Sequence, residues 1–227
     1  MKKTSFKNGF ISNLPISLSV FSYGVVLGII CNSTNIEYIQ LLIMNIFIFA
    51  GSSQFVIVDM LSNSFSITAI IGTAILINMR YFLIATTLDT LFINSSLKEK
   101  LFIMHFVTDE SWAITMKNLK EKGVTIYFLL GGGFCIFISW LLGTSSGYFF
   151  AQFIIEPKKY GLDFAFFGMF LAILTAMYKS KDDFFIYLIT AIIAVISSYL
   201  LDNTIYILIS ALLGSIISVL LKKEHNG

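Results

Sequence analysis

"IIGTAILINMRYFLIATTL", residues 70–88, is apolar, small or hydroxylated at every position except Asn78 and Arg80. Runs of about 18 or more such residues are long enough to cross hydrocarbon as a helix and are rare elsewhere. Arg80 is the only arginine in the chain; the other fourteen cations are lysines. The sequence thus puts its single guanidinium where there is least water to solvate it.

The surroundings give this stretch its setting. Of 227 residues, 57% are hydrophobic and only 12% are charged, against about 25% charged in an ordinary soluble domain. Apolar runs recur at about 14–31, 37–61, 67–93, 124–151, 162–178, 184–201 and 205–221, separated by short hydrophilic breaks such as "NSSLKEK" and "EPKKYG". An eighth stretch, 101–117, is apolar at its ends and polar in its middle. Backbone groups in lipid must be satisfied within their own segment, so these runs are helices; a barrel needs alternating segments of about ten residues, which are absent. The expected fold is all-α: a polytopic membrane bundle of seven or eight spans, forming one transmembrane domain over residues 1–227. "MKKTSFKNGF" is followed by no small-x-small cleavage site after Leu27–Cys31, so the first run reads as an uncleaved span. A net charge of +2 gives no ground for nucleic-acid binding. Cys31 and Cys135 are too few and too distant to suggest a disulfide or a metal site.

Lysine placement bears on the number of spans. If 101–117 crosses and both termini are cytoplasmic, Lys2, Lys3, Lys7, Lys117, Lys120, Lys122, Lys179, Lys181, Lys222 and Lys223 lie inside, and Lys98, Lys100, Lys158 and Lys159 outside. If it does not cross, the balance reverses to five inside and nine outside. The positive-inside tendency favours the former.

The polar groups within the runs carry the functional argument. With a helix starting near Ile67, Arg80 lies about 20 Å in, slightly past the midplane. A central arginine costs about 2.5–3.5 kcal/mol on insertion scales. Thr73, Arg80 and Thr87 share a face by their seven-residue spacing, beside a small-residue stripe of Ala74, Asn78 and Ala85. Arg80 can offer a fixed fork to a carboxylate, or form an ion pair with Asp109 or Glu110; the two readings are compatible. In "FAGSSQFV" (49–56), Gly51, Ser52, Ser53 and Gln54 interrupt an apolar run. A helix broken there exposes N–H groups at the start of its second half, a carboxylate site; a packing face or mild kink is the plainer alternative. In "HFVTDESWA" (105–113), His105, Thr108, Asp109 and Trp112 fall on one face of a continuous helix. Asp109 and Glu110, with His105, form a candidate proton or cation relay, or Asp109 simply caps an interfacial helix. "LLGGGFC" (129–135) and "GTSSG" (143–147) read as close-packing segments, since no P-loop lysine follows them. "FSYGVVLG" (21–28) and "SWLLGTSSG" (139–147) place glycines similarly in the two halves, which admits an inverted repeat.

The same segments carry a resemblance to a known family. "AGSSQFV" (50–56), "NMRYFLI" (78–84), "HFVTDESWAIT" (105–115) and "GLDFAFFGMFLAIL" (161–174) resemble, in order, four sequence elements of the AzlC family, the large subunit of a branched-chain amino acid exporter. The resemblance implies an inner-membrane exporter of leucine, isoleucine, valine or related amino acids. It also implies a small AzlD-type membrane subunit as partner. It carries Gly51, Ser53, Gln54, Phe55, Asn78, Arg80, His105, Asp109, Glu110 and Asp163 over as motif residues. Ser52 stands where alanine is common, and Tyr81 where histidine often follows the arginine. The expected binding residues are then Gly51, Ser52, Ser53, Gln54, Phe55, Asn78 and Arg80, and the expected coupling residues His105, Asp109 and Glu110. No cofactor or metal is expected.

A secondary transporter for a zwitterion accounts for the arginine, the interrupted helix and the acid pair together. A passive channel for a small anion, with Arg80 as its selectivity charge, is the alternative. An enzyme is not expected: Ser53 with His105 is only loosely similar to a serine hydrolase pair, because Gln54 stands where glycine usually follows the serine.

Overall fold

The computed structural model describes residues 2–63, 65–93, 95–153 and 181–200, with single or paired positions among 171–178 and 209–217. The apolar runs 162–178 and 205–221 lie largely outside the described residues, and Asp163 lies wholly outside them. Among the described residues the chain is helical, without strands.

The first helix, α1, spans Lys2–Ser33, and α8 spans Ile126–Phe150. They pack directly on one another along their length. A Cβ at Gly9 would overlap the Phe128 backbone, one at Gly131 the Phe6 backbone, one at Gly143 the Phe21 backbone and one at Gly147 the Val25 backbone. Contacts therefore climb both helices together, and α1 and α8 run parallel. Gly24 and Gly28 on α1 meet Gly143, Thr144 and Tyr148 on α8. Each helix thus contributes a glycine pair four residues apart, which lets backbones approach closely where lipid offers no hydrophobic drive to association. The glycine-rich segments are packing surfaces, as their sequence suggests. The two helices run in the same direction, which an inverted repeat relating this pair would not give.

Between α1 and α8 the chain forms short helices in pairs. The run 37–61 is two helices, α2 (Tyr38–Phe47) and α3 (Gly51–Ser62), separated by Ile48, Phe49 and Ala50. Gly51 and the serines thus begin the second helix. The stretch from Ile67 divides at Met79 into α4 (Ile67–Asn78) and α5 (Arg80–Thr87). Ser66 caps α4 by accepting from the Ala69 N–H. The segment 101–117 belongs to a third pair, α6 (Leu97–His105) and α7 (Asp109–Lys122), parted at Phe106–Thr108. A helix of 10 or 12 residues rises only about 15–18 Å, roughly half a bilayer core. The helix α9 covers Lys181–Leu200.

Among the described residues, Lys3–Ser33, Ile67–Thr87 and Ile126–Phe153 are long and apolar enough to cross a membrane. Outward faces are apolar: on α4, Ile67, Ile71 and Ile75 are all exposed and share one face. That is the reverse of a soluble surface and suits contact with lipid. One buried cluster joins α1, α2, α3 and α8 around Leu27, Leu41, Phe55 and Trp140. A second joins α5, α6 and α8 around Leu88, Ile103 and Leu129.

Candidate functional site

The three helix breaks open onto one cavity of about 120 Å³. The α2/α3 break contributes Phe49, Ala50, Gly51 and Ser52, and the α4/α5 break contributes Arg80 and Tyr81. The α6/α7 break contributes Thr108, Asp109 and Glu110. Val20 and Tyr23 from α1 and Ile136 and Trp140 from α8 complete the wall.

Arg80 joins the three. Its Nη1 lies 2.6 Å from Asp109 Oδ2. Its Nη2 donates to Ser52 Oγ at 2.8 Å, and its Nε is buried with no hydrogen-bond partner. The guanidinium carbon lies 5.4 Å from the Tyr81 ring centroid, within cation–π range. The Arg80 side chain keeps 33% of its surface accessible and Asp109 keeps 44%. Neither partner is sealed off from the cavity. An incoming carboxylate can therefore compete with Asp109 for the fork.

Two of the breaks supply helix starts. The N-cap of α3, Ala50, offers no side-chain cap, and Gln54 N–H is the first to close onto the helix, accepted by Ala50 O at 3.0 Å. The N–H groups before it make no intrahelical bond and sit at the positive end of the helix dipole. The start of α7 is built differently. Thr108 caps it reciprocally with Ser111, and Asp109 and Glu110 occupy its first turn, where negative charge complements the dipole. One wall of the cavity therefore favours anions and the opposite wall is already anionic.

Gly51 packs tightly on the back wall: a Cβ there would stand 3.0 Å from the Trp140 ring. That ring is held by hydrogen bonds. Trp140 Nε1–H is shared between Gln54 Oε1 at 2.7 Å and Asn45 Oδ1 at 3.0 Å. Gln54 Nε2 donates to Asn45 Oδ1 at 3.0 Å, and Asn45 Nδ2 donates to Thr144 Oγ1 at 2.8 Å. Asn45, Gln54 and Thr144 are fully buried. The network fastens α2 to α3 across their break and both to α8.

The structure separates the residues singled out from the sequence into three sets. Gly51, Ser52, Arg80, Asp109 and Glu110 line the cavity. Ser53, Gln54, Phe55 and Asn78 stand behind it: Ser53 Oγ donates to Asn78 Oδ1 at 3.0 Å, Gln54 belongs to the tryptophan network, and Phe55 packs in the core against Trp140. Asn78, with Ala74 and Ala85, also borders an apolar groove on the outer side of α4 and α5. His105 belongs to neither set. It is exposed and stacks edge-on against Phe106. The expectation that His105 and Asp109 share one continuous helical face is corrected by the break at Phe106–Thr108, which ends one helix before the next begins. Thr87, which shares the Arg80 face by its spacing, accepts from Trp112 Nε1 at 2.8 Å, so both residues face α7. Sequence reasoning did not single out Asn45, Tyr23, Trp140 or Thr144. Asn45 carried a signal, being a lone amide inside "LLIMNIFIF" (41–49).

Residues 15–154 match the family described as AzlC protein. The chain belongs to the AzlC family. The match covers α2 to α8, and so every helix break and every residue of the cavity. The AzlC-family chain is 25% identical over 97% of its length to an uncharacterized membrane protein of Helicobacter pylori J99, covering 96% of that protein. It is 25% identical to the branched-chain amino acid transport protein AzlC of Bacillus subtilis over 74% of this chain and 66% of the relative. It is 24% identical to the inner membrane protein YgaZ of Escherichia coli K12 over 78% and 75% of the two chains. No solved structure matches. With its apolar helices and membrane-protein relatives, the chain is a multi-pass membrane protein with a role in membrane transport.

Proposed function

We propose that this AzlC-family chain is a secondary transporter exporting branched-chain or related apolar amino acids across the cytoplasmic membrane. One observation carries the reading: a guanidinium, an uncapped helix start and a carboxylate meet in a single cavity. An amino acid is a zwitterion and needs both signs. In the proposed complex the substrate carboxylate replaces Asp109 on the Arg80 fork and reaches the first N–H groups of α3. Asp109, released, and Glu110 attract the ammonium. Val20, Phe49, Ile136 and Trp140 receive the aliphatic side chain. The name of the Bacillus subtilis relative, a branched-chain amino acid transport protein, supports the branched-chain assignment. Asn78 and Ser53 brace the two breaks against each other, and Gln54 and Phe55 hold the back wall. Coupling to a proton or cation is assigned to Asp109 and Glu110 rather than to exposed His105.

The proposed topology has eight crossings and both termini in the cytoplasm. The parallel course of α1 and α8 supports it: three crossings between them preserve the direction, so α6 and α7 together count as one. A small AzlD-type subunit is proposed as partner.

The test is counterflow of labelled amino acids in proteoliposomes holding the chain alone or with the small subunit. Saturable exchange of leucine, isoleucine or valine is expected. Non-saturating flux of small anions would replace the transporter with a channel, and no flux of any amino acid would end the proposal.

A further inference from the structure

The 25 residues of α8 rise about 37 Å, and its midpoint falls between Ile136 and Trp140, which line the cavity. Contacts along α8 give the course of the short helices. α2 starts at its Phe150 end and runs to its middle: Tyr38 Oη donates to Ser145 Oγ at 3.1 Å, Asn45 reaches Thr144, and Phe49 packs edge-on against Phe137 with ring centroids 5.0 Å apart. α3 does not continue past that level. Gln54 turns back to Asn45, and Phe55 and Gln54 both meet Trp140. The start of α3 lies beside the end of α4, through Ser53 with Asn78 and Ser52 with Arg80, so the two helices are antiparallel. α4 and α5 together then form the 21-residue stretch Ile67–Thr87, long enough to cross, and Leu91 beyond it borders a small cavity with Tyr127 at the beginning of α8. Since α5 leads toward that beginning, α4 descends from the opposite end and α3 climbs back to it.

The pair α6 and α7 follows the same course from the other end. Tyr127 Oη donates to Glu99 Oε1 at 2.9 Å, and a Cβ at Gly133 would overlap the Phe106 backbone, so α6 climbs α8 from its beginning to near its middle. α7 starts there and leads back. Asp109 meets Arg80, Trp112 meets Thr87 two turns along α5, and Asn118 lines a crevice with Ser5 of α1 and Phe128 of α8. α7 ends at Lys122, and α8 begins at Ile126.

We propose that α2–α3 and α6–α7 are re-entrant hairpins, inserted from opposite faces and meeting at Arg80 in mid-bilayer, so that residues 2–153 cross the membrane three times, as α1, α4–α5 and α8. The eight-crossing topology gives each of these pairs one crossing; the contacts along α8 give them none. One crossing between α1 and α8 preserves their common direction as three do, and removing two crossings leaves both termini on one face. The charges agree. All eight lysines before Phe150 lie in 2–7, 98–100 and 117–122, at the end where α1 and α8 begin, whereas 32–38 and 59–67 at the opposite end carry Glu37 and Asp59 and no lysine. The lysine-bearing end is the cytoplasmic one. Non-helical backbone at membrane depth is tolerated where it lines a cavity, as the hairpin tips do. Each crossing is followed by a hairpin from the face it has reached, α1 by α2–α3 and α4–α5 by α6–α7. The inverted repeat is therefore a crossing plus a hairpin, used twice in opposite orientation. For transport, α6–α7 stands between the cavity and the cytoplasm, α2–α3 between the cavity and the opposite face, and Arg80 joins the two tips through Asp109 and Ser52. That consequence rests on the transport reading above; the path of the chain does not.

The experiment uses the full chain with Cys31 and Cys135 replaced by alanine, in right-side-out and inside-out membrane vesicles. Single cysteines at five exposed positions, Thr4→Cys, Ser33→Cys, Asn63→Cys, Ile93→Cys and Thr125→Cys, are treated with a membrane-impermeant stilbene disulfonate maleimide. Thr4→Cys, Ile93→Cys and Thr125→Cys are expected to label in inside-out vesicles alone, and Ser33→Cys and Asn63→Cys in right-side-out vesicles alone. Ser33→Cys and Asn63→Cys labelling from opposite faces would make α2–α3 a crossing, and Ile93→Cys and Thr125→Cys labelling from opposite faces would do the same for α6–α7; either result overturns the proposal. Ser62→Cys and Thr90→Cys, also exposed, replace Asn63→Cys and Ile93→Cys if those variants fail to reach the membrane. Labelling needs no substrate, so the outcome stands even if the chain carries no leucine, a failure that would fall on the cargo reading alone.

Discussion

The break between α2 and α3 is bracketed by a buried hydrogen-bond network, whereas the break between α6 and α7 is tied across the cavity by one partly exposed ion pair. Asn45 precedes the first break and Gln54 follows it, and both meet on the Trp140 indole. Each member is deeply buried, so moving one would strand the others without partners. At the second break Asp109 reaches Arg80 from an accessible position, and Thr108 and Ser111 satisfy only each other. A site that must bind and then release needs one wall that keeps its shape and another that exchanges partners. The first break has the construction of the fixed wall, and the second that of the exchangeable one.

The strongest way to break this comparison is at Arg80, which serves both walls. Arg80→Ala is expected to lower leucine counterflow more than about hundredfold while the protein still fractionates with the membrane. Arg80→Lys should recover little, because an ammonium cannot hold Ser52 and a carboxylate in one plane as the fork does. A lysine variant transporting at the normal rate would refute the fork. Next comes the fixed wall. Gly51→Leu drives a side chain into the Trp140 ring and the cavity, and a loss of about tenfold or more in counterflow is expected, with a smaller loss for Gly51→Ala. Normal transport by the leucine variant would mean the cavity is not the site.

The exchangeable wall should respond in specificity. Asp109→Asn removes the internal anion that competes for Arg80 and weakens attraction for an ammonium. Leucine counterflow should fall about fivefold, while competition by 4-methylpentanoate, which lacks the amino group, strengthens. Equal losses for both ligands would remove Asp109 from ammonium recognition. Gln54→Leu tests the network: a lower melting temperature in detergent is expected, corresponding to about 1–2 kcal/mol, with transport less affected than by Asp109→Asn. The smallest effect belongs to His105→Gln, placed outside the cavity; less than about a twofold change at any pH between 6 and 8 is expected. A strong, pH-dependent loss there would return the histidine to the coupling step.

Much of the arrangement is legible in the letters, for physical reasons that differ by residue. Arg80 stands out because a charge in an apolar run has few tolerable environments. Gly51 with two serines marks a helix weak point, though the break falls just before them, at Ile48–Ala50, and they form the first turn of the next helix. The α6/α7 break was legible only as an alternative, a cap at Asp109, and the cap is Thr108, one residue earlier. "HFVTDES" has helical periodicity, and only the capping bonds of Thr108 and Ser111 turn it into an end and a beginning. For the same reason His105 reads in sequence as a partner of Asp109, which a helix break of three residues prevents. Trp140 gave no warning, since a tryptophan in a membrane run is ordinary until its N–H is seen to hold two amides.

The sequence by itself determined that this chain is an all-helical membrane protein, that Arg80 must be sheltered, and which family it resembles, because hydrophobic length and intramembrane charge are penalties set by the solvent and need no fold to be read. Only the tertiary structure decided that three helix breaks meet at one cavity, that Arg80 bridges Ser52 and Asp109, and that α1 and α8 run parallel on their glycines. Those facts depend on which helix lies beside which, and lipid, being equally apolar to every outward face, leaves that choice to close packing and to the few polar groups that must find one another.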